Sequence, residues 1–349
     1  MLVLMMNVAV ANAFDRVPGY LDTASVALPA RATVSALRAA VDDWASGRVD
    51  PSALDAPVDR MRAAYARIVG CEATDVTLAG SVSQVVGMVA ASLPMGARVL
   101  AAEGDFASVL FPFMADGRLD VTLVPIEDLL DAVRPGVDLV AVSAVQSSDG
   151  HVMDLDALAN AARAVGAKTV IDASHAAGWL PMHARDFDVV VSAAYKWLMA
   201  PRGIALAAVN PRATWLRPVN ASWYGTDEPW NNLYGPPMHL SATARRFDTS
   251  PPWQLVEAGA VALELLAGLR RTDVRDYSVG LANQFRDALG MPPSNTTIVS
   301  VRDVDPRQLS DARVRCSGRG GRSRLSFYVY NDASDVECAA RALRVRAAA

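Results

Sequence analysis

Lysine is scarce in this chain of 349 residues, and one of its two lysines stands where an amine could react. Of the 33 basic residues, only Lys168 and Lys196 are lysines. Lys196 follows an apolar, strand-like run at residues 188–192 and is flanked by Tyr195 and Trp197. Burial there would strip water from the ammonium, lower its pKa and free the amine as a nucleophile. The alternative is a structural lysine that extends to solvent, which is the role we expect for Lys168.

An aspartate and a Gly-Ser turn stand at two further strand ends. Asp172 ends the apolar run 169–172, where a carboxylate is costly unless it meets a cation or several donors. Its alternative role is to cap the following helix. Residues 77–84 pass from a strand through Gly80 and Ser81 into a helix, whose free N–H groups could hold a phosphate. The alternative there is an N-cap serine without a ligand, and the turn has neither the P-loop nor the Rossmann glycine pattern.

A phosphate cradle, a strand-end aspartate and a lysine 24 residues later are together what pyridoxal phosphate requires. The lysine forms a Schiff base with the cofactor, and the helix terminus anchors the phosphate. The aspartate keeps the pyridine nitrogen protonated, so that the ring can accept electrons. The sequence therefore predicts pyridoxal phosphate as the cofactor and a small amino acid as the substrate.

The hydrophobic pattern predicts an α/β fold. Apolar runs without polar alternation indicate strands buried on both faces of a mostly parallel sheet. These runs are residues 98–101, 120–125, 138–145, 169–172, 188–192 and 204–209, with helices at 58–69, 83–93 and 155–165. Beyond an aromatic stretch at 215–250, the pattern predicts a smaller α+β domain. Its elements are helices at 254–269 and 273–289, strands at 297–301 and 324–330, and a closing helix from Asp335.

Three motifs are specific: Asp-Ala-Ser-His-Ala-Ala-Gly at 172–178, Tyr-Lys-Trp-Leu at 195–198 and Arg-x-Ser-x-x-x-Tyr-Asn at 324–331. In these motifs the chain resembles the class V aminotransferase family of fold-type I pyridoxal-phosphate enzymes, which includes cysteine desulfurases, isopenicillin N epimerase-like proteins and hercynylcysteine sulfoxide lyase. The resemblance implies a large domain with a mostly parallel sheet flanked by helices and a smaller C-terminal α+β domain. We expect an N-terminal segment at 1–15 packed on the small domain, the large domain at 16–215, and a hinge and small domain at 216–349.

The resemblance also implies roles for individual residues. Arg324 would bind the substrate α-carboxylate. Family members form homodimers with active sites at the subunit interface, and Ser250 of the segment 246–253 would reach a phosphate there, with Thr249 and Trp253 left open. The implied cofactor contacts are Lys196 at the Schiff base, Asp172 at the pyridinium nitrogen, His175 and Ser147 near the ring hydroxyl, Phe106 on the ring face, and Ser81, Val82, Ser192 and Ser250 at the phosphate.

The reaction is less narrowly defined than the cofactor. Lys196 would remove the α-proton of a Schiff-base-linked substrate, and the fate of the carbanion separates the activities. We favour a C–S lyase acting by β-elimination, because the outline looks most like the sulfoxide lyase and epimerase branch. An aminotransferase or epimerase is the alternative, followed by a cysteine desulfurase and a non-catalytic pyridoxal-phosphate-binding module. A desulfurase would need a nucleophilic thiol, and Cys316 stands only eight residues before Arg324, where a buried, inert thiol is the alternative.

Two further features have alternative interpretations. The aromatic residues between Trp215 and Tyr234 would wall a large substrate pocket or form a hinge between domains. The arginines at 313, 315, 319, 322 and 324 would attract an anionic substrate or form a solvated loop around one functional arginine.

Composition limits partners and location. A net charge of −4 argues against a nucleic-acid partner, and no apolar run is long enough to span a membrane. Three distant cysteines without metal-ligand spacing predict a reduced, cytoplasmic protein without a metal site. The apolar start at residues 1–13 lacks the basic region of a signal peptide.

Overall fold

The structure is a computed structural model that describes Val10 and residues 12–347, except for the side chains of 308 and 344–347. Its ten strands in these residues are β1 (Val76–Ala79), β2 (Arg98–Ala102), β3 (Asp120–Val124), β4 (Leu139–Ser143), β5 (Lys168–Asp172), β6 (Val189–Ala193), β7 (Ala205–Val209), β8 (Ile298–Arg302), β9 (Ser317–Arg319) and β10 (Arg322–Ser326). The helices are α1 (Arg31–Ala45), α2 (Asp55–Val69), α3 (Val82–Ser92), α4 (Ala107–Ala115), α5 (Leu129–Ala132), α6 (Leu155–Val165), α7 (Trp253–Ala267), α8 (Arg271–Ala288), α9 (Pro306–Asp311) and α10 (Ala333–Ala347).

A seven-stranded sheet with the order β1-β7-β6-β5-β4-β2-β3 forms the centre of the molecule. Strands β3, β2, β4, β5 and β6 are parallel. Strand β7 is antiparallel to both of its neighbours, β6 and β1. Strand β1 therefore runs in the same direction as the parallel set, and its carboxyl end lies at the same edge of the sheet.

Both faces of the sheet are covered, as the uninterrupted apolar runs predict. On one face, Met61 and Tyr65 of α2 and Leu263 of α7 belong to the same hydrophobic cluster as Val190. On the other face, the buried side of α3 packs with Phe113 of α4 and with Val191. Successive side chains of a strand point to opposite faces, so Val190 and Val191 belong to different cores.

The C-terminal part has its own core around an antiparallel three-stranded sheet with the order β8-β10-β9. Leu281 and Phe285 of α8 pack there against Val299 and Leu325. The strand predicted at 324–330 is observed as β10 at Arg322–Ser326, so it begins and ends earlier and is shorter. It does not extend to residue 330 because the chain turns there, with the N–H of Asn331 bonded to the carbonyl of Tyr328. The arginine-rich stretch is also more ordered than a solvated loop, since β9 pairs with β10.

The domain division differs from the expected one in two places. Helix α7 packs on α1 and α2 and shares the core of the large domain, so the boundary expected at 215 falls too early. Residues near the N-terminus join the small domain instead: Tyr20 bridges to Arg315 and Asp22 to Ser326. Of the predicted N-terminal segment, only Val10 and residues 12–15 lie in the described part. There Phe14 packs on Tyr330, with 5.3 Å between the centres of the two rings.

In the part of the chain that the structure describes, no helix is both long and apolar enough to cross a membrane.

A buried ion pair fastens the segment after residue 244 to the start of the large sheet. The carboxylate of Asp248 is fully buried and pairs with Arg62 of α2. It also accepts hydrogen bonds from the Thr77 hydroxyl at 2.8 Å and the Leu78 N–H at 2.9 Å. The next residue, Thr249, is thereby held close to the turn between β1 and α3.

We expect Asp248→Asn to lower the free energy of unfolding by about 3–5 kcal/mol, because it removes the buried counter-charge of the Arg62 guanidinium and leaves only the exposed carboxylate of Asp59, 3.6 Å from Nε. Urea unfolding measures this loss. The control is Asp43→Asn, which removes an exposed pair with Arg48 and should change stability by at most about 1 kcal/mol. Equal losses in the two variants would contradict the role assigned to the buried pair.

Candidate active site

The carboxyl ends of five strands bring the predicted site residues to one edge of the sheet. Ser81 follows β1, Phe106 follows β2, Ser147 follows β4, Asp172 ends β5 and Lys196 follows β6. Ligands bind at this edge in open α/β sheets. Lys168 lies at the opposite end of β5, with its ammonium 5.4 Å from the Trp215 ring, as expected for the lysine without a chemical role.

Lys196 is buried among rings and one imidazole. Its Nζ lies 2.9 Å from Nε2 of His175, 5.1 Å from the centre of the Phe106 ring and 5.8 Å from that of Tyr195. Burial lowers the pKa of the amine to about 8, although the negative charge of Asp172 opposes the shift. One pH unit below that pKa, about a tenth of the amine is uncharged. A lysine in water has far less free amine at the same pH.

The hydrogen bonds of His175 select the uncharged form of Lys196. The indole N–H of Trp197 lies 3.3 Å from Nδ1 of His175, and an indole can only donate. Nδ1 is therefore the acceptor, and a neutral imidazole carries its proton on Nε2. Burial holds the pKa of His175 well below its usual value, so the ring stays neutral. The Nε2–H then donates to a lone pair that only the uncharged amine possesses.

Asp172 keeps one carboxylate oxygen available at the floor of the site. Its Oδ1 accepts the N–H of Ser174 at 2.8 Å, while Oδ2 has no hydrogen-bond partner among the described residues. Burial raises the pKa of Asp172, against the opposing effects of Ser174 and Lys196. A cationic N–H donor placed against Oδ2 would supply the missing counter-charge.

The turn from β1 into α3 has the donors that a phosphate needs. Ser81 is the N-cap of α3 and accepts the Gln84 N–H at 3.3 Å, while the N–H groups of Val82 and Ser83 have no acceptor within the helix. The Gln84 side chain closes the turn by accepting the Gly80 N–H at 2.9 Å, and its amide lies 3.5 Å from the hydroxyl of Thr249. The helix dipole and the free N–H groups favour a dianion here.

Phe106 presents a ring beside Lys196 because a buried acid holds its backbone in place. Asp105 accepts the Phe106 N–H at 2.6 Å and the Ser143 N–H at 2.6 Å, and the Gln146 amide lies within 3.2 Å. The turn after β2 is thus tied to the end of β4. The Phe106 ring itself is 43% exposed, so one face is open for stacking on a flat ligand.

Arg324 is a buried guanidinium that no carboxylate of the described chain pairs with. Nη1 donates to the carbonyl and hydroxyl of Ser147, Nη2 to the hydroxyl of Ser25 at 2.9 Å, and Nε to that of Ser317 at 3.2 Å. One of its five N–H groups, on Nη2, is left over. Burial and the nearby charge of Arg319 lower its pKa to about 10. An anion brought to Arg324 would relieve the lack of a counter-charge.

The structure does not bring two predicted phosphate ligands to this turn. The Ser192 hydroxyl is fully buried and shares a hydrogen bond of 2.9 Å with Tyr65 of α2. Side chains alternate along β6, so Ser192 points to the α2 face of the sheet while Ala193 faces α3. Ser192 therefore points away from α3 and the turn that precedes it. Ser250 is exposed, and its role at a phosphate stays a prediction.

Several residues that position the site were missing from the sequence interpretation. Asp105, Gln84 and Trp197 act through other residues, and nothing in their own spacing marks them. Ser25 and Ser317 reach Arg324 from distant parts of the chain. Ser147 was expected near the ring hydroxyl, whereas in the structure its oxygens hold Arg324.

The arrangement suits pyridoxal phosphate. An amine with a lowered pKa, an unpaired carboxylate oxygen, an open aromatic face and a helix N-terminus are grouped at one sheet edge. The profile of the class V aminotransferase family matches residues 86–310, more than half of the chain. The chain belongs to the class V aminotransferase family. This confirms the predicted family, and with it an enzyme that uses pyridoxal phosphate.

Relatives of the family agree over most of the chain. It is 26% identical over 293 residues to the uncharacterized aminotransferase YcbU of Bacillus subtilis, a match covering 76% of this chain and 78% of that protein. It is 28% identical to a kynureninase of Salinispora tropica, over 82% of this chain and 76% of the kynureninase. An isopenicillin N epimerase of Amycolatopsis lactamdurans is 26% identical over 78% of this chain and 79% of its own.

Solved structures confirm the predicted fold. The structure of the cysteine desulfurase CsdA of Escherichia coli superposes with a TM-score of 0.81 at 17% identity. The superposition covers 98% of this chain and 98% of CsdA. The cystine C–S lyase C-DES has a TM-score of 0.83 at 14% identity, with 93% of this chain and 97% of that chain covered. The class V chain thus has the expected mostly parallel large sheet and smaller C-terminal domain.

The bond from Trp197 to His175 leads to a prediction about Lys196. In Trp197→Phe the imidazole can place its proton on Nδ1 and accept a hydrogen bond from the ammonium. We expect the pKa of Lys196 to rise above 8, which shifts the pH dependence of pyridoxal phosphate attachment upward by about one unit. The rate of cofactor attachment to the apoprotein, followed by absorbance across pH, measures this shift.

Trp179 provides the matched control. It is a second buried tryptophan, and its indole donates to the backbone carbonyl of His175 at 2.6 Å rather than to the ring. Trp179→Phe should lose similar packing and leave the pH dependence in place. If both variants shift the profile equally, the change in imidazole tautomer does not explain it.

Proposed function

We propose that this class V enzyme is a lyase that breaks a C–S bond of an amino acid by β-elimination. The supporting observation is the positive charge around the reacting amine: Arg202, Arg319 and Arg324 all act on Lys196, against the carboxylate of Asp172. Elimination expels an anion from the β-carbon, whereas transamination only moves a proton between two carbons. A surplus of guanidinium groups stabilises the departing anion and gives transamination no comparable advantage.

The side chains divide the work. Arg324 fixes the α-carboxylate and so orients the bond from the α-carbon to its hydrogen. Lys196 removes the α-proton, because its lowered pKa leaves free amine near neutral pH. Asp172 would hold the protonated ring nitrogen of the cofactor, and Phe106 would pack on its ring. When bound, pyridoxal phosphate supplies an electron sink for the charge that forms at the α-carbon.

His175 holds the reacting amine in position. Its Nε2–H donates to Lys196 in the cofactor-free protein, and we expect the same N–H to face the ring hydroxyl once cofactor is bound. The backbone N–H groups of Val82 and Ser83 and the Ser81 hydroxyl would hold the phosphate. These assignments give each group at the sheet edge one partner of opposite charge or hydrogen-bonding type.

A cysteine desulfurase is less well supported than a lyase that releases its sulfur product. Burial raises the pKa of the Cys316 thiol to about 11, so the thiol stays protonated near neutral pH and is a poor nucleophile. Cys316 also immediately precedes β9, which is paired with β10, and this pairing restricts its movement. An aminotransferase is the second candidate, since the relative YcbU carries that name.

We also propose a homodimer in which Ser250 binds the phosphate of the neighbouring subunit. Its support is the placement of this segment: Asp248 is fixed in the core, Thr249 faces Gln84, and Ser250 is exposed. A cytoplasmic location stays a prediction from the cysteine content.

Reaction products test the proposed activity. With pyridoxal phosphate, the protein should convert cystine or S-substituted cysteines to pyruvate and ammonia with release of a sulfur product, and should not pass the amino group to an added keto acid. Amino transfer without pyruvate would contradict the lyase and favour the aminotransferase. Inversion at the α-carbon without pyruvate would favour an epimerase.

Variants at the sheet edge test the assignment of roles. Lys196→Ala should abolish covalent attachment of the cofactor, while Lys168→Ala, the matched control, should retain attachment and turnover. Asp172→Asn should keep the cofactor bound but lower turnover by about 10²–10³-fold, because it removes the charge that stabilises the protonated ring. Attachment in Lys196→Ala, or its loss in Lys168→Ala, would contradict the assignment.

A further inference from the structure

Of the three guanidinium groups that act on the reacting amine, one has neither a carboxylate or ring partner of its own in the described chain nor an assigned part of the substrate. Arg324 is committed to the α-carboxylate, and Arg202 lies 5.3 Å from the Tyr195 ring. Arg319 is exposed, and in the described chain it pairs with no carboxylate. Its guanidinium has one hydrogen bond, from Nη1 to the carbonyl of its neighbour Gly318 at 2.7 Å.

The β9–β10 pairing directs Arg319 toward the site. Ser317 is opposite Arg324 in the register, and Arg319 is opposite Arg322. Ser317 and Arg319 are two residues apart on β9 and so share a face. Ser317 contacts Nε of Arg324 with its hydroxyl, which identifies that face as the active-site side.

The residue between them confirms the orientation. A Cβ built on Gly318 would meet Pro306 at 3.2 Å, so Gly318 faces α9. The Arg319 side chain must then lie on the opposite face, the same face as Ser317. Its Cα is about 6–7 Å from that of Ser317 along the strand. Its charge also acts on Lys196, His175 and Arg324, in agreement with this direction.

A second guanidinium at this spacing suits a ligand with two negative groups. Once a substrate carboxylate occupies Arg324, Arg319 still lacks a counter-charge, on the same face of the hairpin as Ser317, which contacts Arg324. A carboxylate, sulfinate or sulfonate accepts two N–H bonds from one guanidinium. A neutral amide of the same shape gains much less.

We propose that Arg319 binds an anionic group on the substrate side chain, so that the enzyme prefers amino acids with a second acidic group. This inference depends on the proposed function, since it places the substrate α-carboxylate on Arg324. Arg319 is a specificity-determining residue in this scheme and takes no part in the proton transfer at Lys196.

Paired ligands test the preference in the intact, cofactor-loaded enzyme. The absorbance of bound pyridoxal phosphate is titrated with aspartate against asparagine, glutamate against glutamine, and cysteine sulfinate against alanine. We expect the acidic member of at least one pair to bind 10- to 100-fold more tightly, in line with one charge-assisted interaction (about 1.5–3 kcal/mol). In Arg319→Gln that ratio should fall to near one, through weaker binding of the acidic ligand only.

Arg322→Gln is the matched control on the same hairpin. Arg322 is opposite Arg319 in the register and shares its face. It lines a separate crevice of about 490 Å³ with Asp149 and Arg286, however, which neither Lys196 nor Arg324 lines, so the variant should keep the preference. Arg319 is exposed and Arg322 is half-buried, so we expect both variants to fold, and thermal unfolding checks this.

The outcomes separate this inference from the proposed function. Equal binding of acidic and neutral ligands by the unaltered enzyme would overturn the role of Arg319 and leave the proposed activity standing. An equal loss of both ligands in Arg319→Gln, or the same loss of preference in Arg322→Gln, would also overturn it. If no amino acid changes the cofactor absorbance, the proposed function fails and this inference fails with it.

Discussion

Burial of the Lys196 amine at the carboxyl edge of the sheet is the constraint on which the site depends. Removing water from an ammonium is costly, and the protein does not offset the whole cost with a close carboxylate. Asp172 acts on the amine only through its charge, and the nearest polar atom to Nζ is a neutral imidazole nitrogen. The amine therefore gives up its proton easily, as both nucleophilic attack and proton removal require.

The same principle explains why the small domain must close against the large one. Arg324 stands on β10 of the small sheet, yet three of its four hydrogen bonds go to Ser25 and Ser147, which belong to other segments, and only one goes to Ser317 of β9. A guanidinium held by neutral oxygens is well positioned but poorly neutralised. In the proposed function the substrate carboxylate would supply the missing counter-charge, and it would bind where the two domains meet.

Much of the fold and the centre of the site follow from local patterns. The apolar runs that end at Asp172 and precede Lys196 predict parallel strands, and parallel strands place their ends together. Ser192 shows the limit of such patterns. Alternate residues of β6 face α2 and α3, and because the neighbours of Ser192 on both faces are apolar, the sequence does not reveal which face it belongs to. The placement of helix α7 could not be predicted for a related reason: its apolar face shows that it packs on a core, but not whether that core belongs to the large or the small domain. The β9 strand was missed because its pairing with β10 fixes it, whereas its glycines and arginines suggest a loop.

The two lysines show how chemistry limits substitution in a chain rich in arginine. At Lys168 the ammonium lies over the Trp215 ring, an interaction that a guanidinium makes equally well. At Lys196 the group must lose its proton, and an arginine keeps its charge at every physiological pH. Arginine could preserve the positive charge at position 196, but it could not supply a free amine. The requirement is for an amine that can be neutral, and among the common cationic side chains lysine alone offers a primary one.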